Sequence, residues 1–251
     1  MPFDFTLKKY ENLLKILKEK NIKVFGVKDW VEKNPDKGVL IRHDVDRRPR
    51  NSLKTAKLEA VYNIFTTYYF RIKKHTFKPK LIKKIAELGH EIGYHYENLS
   101  DCRGDYQKAI KDFDKNLKKF REITDIKTIA MHGKPLSRYK NDLLWEKYDY
   151  RKYDILAEAF NTVDYTNTYY LTDTGRSWTV DKNNLRDKVN TRLKTNVNTT
   201  EELIKFINKD MKIAIVIHPE RWNDDIFSWT YSYLSDNLAN LAKIIIKGIR
   251  K

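Results

Sequence analysis

The chain has 251 residues, 41% of them hydrophobic and 13% aromatic, with eight glycines, six prolines and one cysteine. That is enough apolar matter for one packed core, and it excludes a disordered, collagenous or disulfide-stapled chain. Fifty Lys+Arg against 34 Asp+Glu give a net charge of +16; the cations are spread over polar helix positions such as Lys8, Lys9, Lys83, Lys84, Lys118, Lys119, Lys243 and Lys247, without a nucleic-acid motif, so a nucleic-acid partner is not expected.

Taken in order, Leu7, Tyr10, Leu13, Leu14 and Leu17 recur at helical spacing and predict an opening helix. After the Asn34–Lys37 turn, Gly38–His43 reads as a buried strand. A helix over Asn51–Tyr62 and a β-rich run over Ile64–Phe70 follow. Lys80–Leu88 is helical and is stopped by Gly89. Glu91–His95 is a short strand, Asp105–Ile123 a long amphipathic helix and Thr128–His132 a strand. Weaker strands fall at Ile155–Phe160 and Tyr169–Thr172. Thr199 or Thr200 caps a helix over Thr200–Asn208. Lys212–His218 is a strand, and Trp229–Ile249 closes the chain as an amphipathic helix. With no repeat, low-complexity tract or linker, residues 1–251 are read as a single domain.

Strands alternating with helices imply a mostly parallel sheet, in which ligands bind beyond the carboxyl ends of the strands. Four predicted strands end there in ionisable residues: His43-Asp44-Val45-Asp46, His95, His132 and His218. A fifth runs into Asp173. Asp44 and Asp46, two apart in an extended segment, point the same way, and a divalent cation would relieve their repulsion. His95 at a strand end is a candidate metal ligand. His132, followed by Gly133, and His218 are each a candidate ligand or proton donor. Asp173 could orient a histidine. His90 is read as anchoring a turn, and His75 has no role. Tyr96, Tyr139, Trp178 and Trp222 could wall a sugar site, with Arg176 as a polar contact.

These motifs resemble, from roughly Val39 to Trp222, the polysaccharide deacetylase superfamily (carbohydrate esterase family four and its relatives), as a divergent branch. The resemblance implies a distorted (β/α)7 barrel and a divalent metal, most often zinc. Arg42 to Asp46 is similar to the first family motif, which would make Asp44 the base and Asp46 a metal ligand. Gly89 to His95 is similar to the second, making His95 a ligand. The segment around His132 occupies the place of the third. Asp173 and His218 resemble the late pair that acts as an oriented general acid. Leu99 stands where the family carries another metal histidine, so Glu97 or His132 would complete the metal shell, and Met131-His132-Gly133 replaces the usual arginine-proline pattern.

The implied function is metal-dependent hydrolysis of an amide C–N bond, with N-deacetylation of a sugar or glycan precursor first. Alternatives are hydrolysis of a non-sugar cyclic amide and a non-catalytic glycan- or metal-binding barrel. No apolar run reaches the roughly 20 residues of a membrane span. The lone Cys102 and the charged N-terminal region predict a cytoplasmic location.

Overall fold

A computed structural model of the chain describes residues 3–134, 137–179 and 189–249; Pro135, part of the segment read around His132, lies outside them. In chain order the elements are α1 (Leu7–Glu19), β1 (Val24–Phe25), α2 (Val27–Lys33), β2 (Gly38–Val45), α3 (Pro49–Val61), β3 (Thr67–Phe70), α4 (Pro79–Glu87), β4 (Glu91–Tyr96), α5 (Asn98–Asp101), α6 (Tyr106–Arg121), β5 (Thr128–Met131), α7 (Leu144–Lys147), β6 (Ala157–Glu158), β7 (Tyr169–Thr172), α8 (Thr200–Phe206), β8 (Lys212–Ile217) and α9 (Ile226–Ile249).

Seven strands pair in the order β6-β5-β4-β3-β2-β8-β7, and β1 adds to the first half of β2. Every ladder is parallel, as strand–helix–strand crossovers require. The sheet is rolled. One inner cluster gathers Leu40 of β2, Tyr69 of β3, Ala130 of β5, Tyr170 of β7 and Ala214 of β8 with Ala159, Val163 and Tyr165 from the segment between β6 and β7. Strands that far apart in the order share side-chain neighbours only if the sheet curls on itself. The result is the expected (β/α)7 barrel, distorted and open between β6 and β7. The alternate residues Val39 and Ile41 pack outward under α1 and α8, and Val45 under α3 and α4, which is the period of two expected of a strand buried on both faces.

Local signals explain most element ends. Thr6 and Thr199 cap α1 and α8 by accepting the Lys9 and Glu202 N–H groups. Gly89 follows α4 with a left-handed φ of 96°, the conformation that favours glycine there. The predicted strand over Ile155–Phe160 shrinks to β6, because the Glu158 carboxylate turns back to accept the Phe160 and Asn161 N–H groups at 2.9 Å. The run at Ile64 becomes a strand only from Thr67; the Thr66 N–H donates instead to His90 Nδ1 at 3.3 Å. The last helix starts at Ile226 rather than Trp229. The pair β1–α2 escaped the sequence reading, since a two-residue strand has no periodicity to detect.

Gly93 in β4 has a packing reason to be glycine. A Cβ there would sit 2.2 Å from the Tyr69 ring and 2.9 Å from the Thr128 carbonyl oxygen. Gly93→Ala is therefore expected to cost about 1–3 kcal/mol of stability through overpacking, read from a urea melt. An unchanged midpoint would show that Tyr69 has room to move.

Candidate active site at the carboxyl rim

The strand ends bring together the residues that the sequence singled out. Asp44, the last inward residue of β2, is buried, and its Oδ2 lies 3.4 Å from Nη2 of Arg42. Arg42 is two residues back on the same face and lies over the Phe160 ring at 4.2 Å, so the guanidinium is fixed from the far side of the barrel. The other carboxylate oxygen, Asp44 Oδ1, is buried and accepts no hydrogen bond among the described residues.

Just beyond β2, Asp46 meets the ends of β4 and β5. Its Oδ1 stands 3.4 Å from His95 Nε2 and 3.5 Å from His132 Nε2, and among the described residues is otherwise buried without a hydrogen bond. Both rings are oriented from behind. His95 Nδ1 is 3.0 Å from the Ala130 carbonyl oxygen; a carbonyl only accepts, so that nitrogen carries hydrogen and Nε2 presents its lone pair in the neutral ring. His132 Nδ1 is 3.1 Å from Glu97 Oε2, with the same consequence. Burial alone would push the Asp46 carboxyl up, but the neighbouring His132 and His95 imidazoles hold it well below the usual carboxylate range. Glu97 lies among cationic side chains. It is clamped by Arg71 through Nε at 3.0 Å and Nη2 at 2.8 and 3.0 Å, pairs with Lys73 at 3.3 Å and Lys134 at 3.6 Å, and orients His132 through Oε2.

At the other side of the rim, β7 and β8 deliver Asp173 and His218. Asp173 is fully buried and accepts four hydrogen bonds: from His218 Nδ1 (2.6 Å) and Arg221 Nη1 (2.7 Å) to Oδ1, and from the His218 N–H and Trp222 Nε1 (both 2.9 Å) to Oδ2. Against its burial, Arg221 and His218 bring its pKa down to about 2. The His218 imidazole feels burial and Arg221, which lower its pKa, yet Asp173 and Asp46 outweigh them and raise it. With Nδ1 bound to Asp173, Nε2 makes no hydrogen bond among the described residues. Close by, burial and the Asp46 charge push Glu220 up to about 7.

Several sequence expectations need correction. Tyr96, Trp178 and Trp222 have no exposed surface and cannot wall a sugar site. Tyr96 faces out of the barrel against Phe113 and Trp145, Trp178 packs on Phe5 and Trp222, and Trp222 serves Asp173 instead. Arg176 is bound to Asp236 of α9 at 3.0 Å. Tyr139 keeps partial exposure, with its ring closing over Gly104. His43, though beside Asp44, points the opposite way, as strand alternation demands. It stacks on Tyr68 and reaches Glu59 Oε1 at 2.8 Å, in a buried network with Tyr10, Tyr68 and Thr66. His90 bridges α3 and β4 through the Ala56 carbonyl at 2.9 Å. Not anticipated were Arg42, Arg71, Glu220, Arg221 and Asp236; for Arg42 the signal existed, since it shares the inward face with Asp44.

Among the described residues no three His, Cys, Asp or Glu side chains are grouped as a metal ion requires; two close pairs share one oxygen. Their chemistry suits a cation nonetheless. One orphaned carboxylate oxygen and two lone-pair nitrogens are the donor types zinc takes, and bonds of about 2.0–2.1 Å at tetrahedral angles put donors about 3.3–3.4 Å apart, close to the 3.4 and 3.5 Å found here. No family model matches the chain, and no curated protein matches it in sequence. Among solved structures it is similar to that of Bacillus subtilis PdaA, a family 4 carbohydrate esterase, with 12% sequence identity over 91% of this chain and 84% of that one and a TM-score of 0.44.

Proposed function

We propose that the chain is a metal-dependent hydrolase of amide C–N bonds whose substrate is an N-acetylated sugar or glycan precursor. The observation that carries the proposal is the convergence of His95 Nε2 and His132 Nε2 on the orphaned Asp46 Oδ1. His132 then takes the place left by Leu99, and Glu97 orients it as a carboxylate behind a ligating imidazole does. A divalent ion, zinc in this proposal, held by Asp46, His95 and His132 would supply a Lewis acid for the acyl oxygen.

The chain's own residues handle the protons. Asp44 Oδ1, free of hydrogen bonds while Arg42 steadies Oδ2, takes the proton of the attacking water. The water oxygen joins the acyl carbon and the C–N bond breaks. His218 Nε2 gives its proton to the departing nitrogen. Asp173 keeps the imidazole charged and aligned, and Arg221 and Trp222 keep Asp173 ionised. Carboxylic acid and amine leave, and the proton gained by Asp44 replaces the one lost by His218.

Metal analysis tests the ligand set directly. Wild type equilibrated with zinc and then desalted should retain about one ion per chain. His132→Ala should retain at least tenfold less at equal free zinc, while His43→Ala, altered outside the barrel, keeps it. Equal retention by His132→Ala removes His132 from the shell, and no retention by wild type removes the metal.

A further inference from the structure

Helix α9 is built inside out. Phe227, Tyr231, Leu234, Leu238 and Leu241 follow one another at steps of four and three, which places them on a single stripe. All five are exposed, from 56% for Leu234 and Leu241 to 82% for Phe227. The opposite face, which a soluble helix normally makes apolar, carries polar groups against the barrel. Ser232 donates to the Glu220 carbonyl, and Asp236 binds Arg47 and Arg176 at 3.0 Å. The leucine stripe is therefore not a core face left uncovered by chance of packing; over Ser232 and Asp236 the helix is already docked by its other side. A row of large apolar side chains of this length in water marks a contact surface.

A cationic rim adjoins the stripe. At the first turn of α9, beside Ser228, a cavity of about 820 Å³ is lined by Arg48, Arg50, Lys54, His75, Lys78 and Lys80. Its two acidic side chains are engaged with backbone, Asp224 accepting the Lys8 N–H at 3.0 Å and Asp225 the Ser228 N–H at 2.7 Å. Arg48 ties rim to stripe, its guanidinium lying 4.5 Å over the Tyr231 ring. Beyond Asp236 the sequence has no acidic residue and four cations, Lys243, Lys247, Arg250 and Lys251.

We propose that α9 docks this protein on the surface of an anionic lipid bilayer, with the stripe sunk among the acyl chains and the cationic rim against the headgroups. Apolar stripe, aromatic residues and flanking cations are the three parts of an interfacial helix. A second copy of the chain fits less well, because a two-fold contact through the stripe would set the cationic rim of one copy either against its counterpart or against the lysine-bearing second half of the partner's α9. The helix lies in the plane of the surface: none among the described residues is long and apolar enough to cross a membrane. The proposal is independent of the chemistry assigned above, since none of the five stripe residues is a metal ligand or proton carrier in it.

The test is flotation with vesicles of phosphatidylcholine alone and of phosphatidylcholine mixed with phosphatidylglycerol. Wild type should float with the anionic vesicles and be released by salt. Leu234→Ser/Leu238→Ser should bind them on the order of a thousandfold less tightly, since each leucine withdraws about three carbons' worth of burial. Arg50→Gln/Lys54→Gln should weaken binding and flatten its salt dependence. Circular dichroism should be unchanged, as all these side chains face solvent. Failure of wild type to float, or flotation that survives loss of both leucines, overturns the proposal. A dimer by sedimentation velocity that the leucine substitutions dissociate would instead assign the stripe to a second copy.

Discussion

Asp44→Asn is expected to lower acetate release from an N-acetylated sugar by about 10²–10⁴-fold, the usual contribution of a positioned base, with little change in KM. Asparagine has the same shape and keeps an oxygen for Arg42, so the barrel should fold normally. What it lacks is a basic oxygen at the Oδ1 position, where the carboxylate now accepts no hydrogen bond. Metal content is the discriminating readout: Asp46, His95 and His132 are untouched, so zinc should be retained while turnover is lost. A variant as fast as wild type removes Asp44 from the base role. A variant that loses the ion along with activity makes Asp44 a ligand instead.

Glu59→Gln is expected to cost about 3–5 kcal/mol of stability at neutral pH, the penalty of breaking a buried charged network from one side. The carboxylate is fully buried between α1, α3 and the outer face of β2 and β3. It accepts hydrogen bonds from Tyr10, from Tyr68 at 2.6 Å and from Thr66 at 2.9 Å, and faces His43 at 2.8 Å. A glutamine has one acceptor oxygen for these donors and brings two N–H donors of its own. The pH dependence has a definite sign. Burial works against ionisation, but His43, His90 and the hydroxyl donors take the Glu59 pKa from 4.5 to about 2. A carboxylate depressed on folding stabilises the native state above its unfolded pKa, and that stability is lost as pH falls through the folded value. The gap between wild type and Glu59→Gln should therefore be full at pH 7 and shrink by about 3 kcal/mol between roughly pH 4.5 and 2, as measured by urea melts. A gap that is constant over that window would mean that the carboxylate is not ionised in the fold.

The rim residues were legible because the rule that finds them is topological. Asp44, Asp46, His95, His132, Asp173 and His218 each follow an apolar run short enough to be a strand, and a parallel sheet puts all such ends on one side. Alternation within β2 would also have separated Arg42 and Asp44 from His43. The aromatic residues were misread for a physical reason: a tryptophan next to a strand-end histidine looks the same whether it faces a sugar or fills the wall, and burial decides between them. Trp222 does neither in isolation, for its indole N–H is spent on Asp173. Helix α9 defeated periodicity in another way. Its apolar stripe was easy to see, but pattern alone assumes that such a stripe faces the core, and here Ser232 and Asp236 occupy that side.

The filled interior has a consequence for traffic. Leu40, Tyr69, Ala130, Tyr170 and Ala214 close the barrel beneath Arg42, and Val163 and Tyr165 plug the gap beside β6. Among the described residues these side chains fill the floor, so a ligand of Asp46 would approach and leave from the carboxyl rim. Under the proposed chemistry, spent fragments would have to clear that rim before a fresh molecule could arrive, and the amine left by one turnover would compete with its successor for the same space.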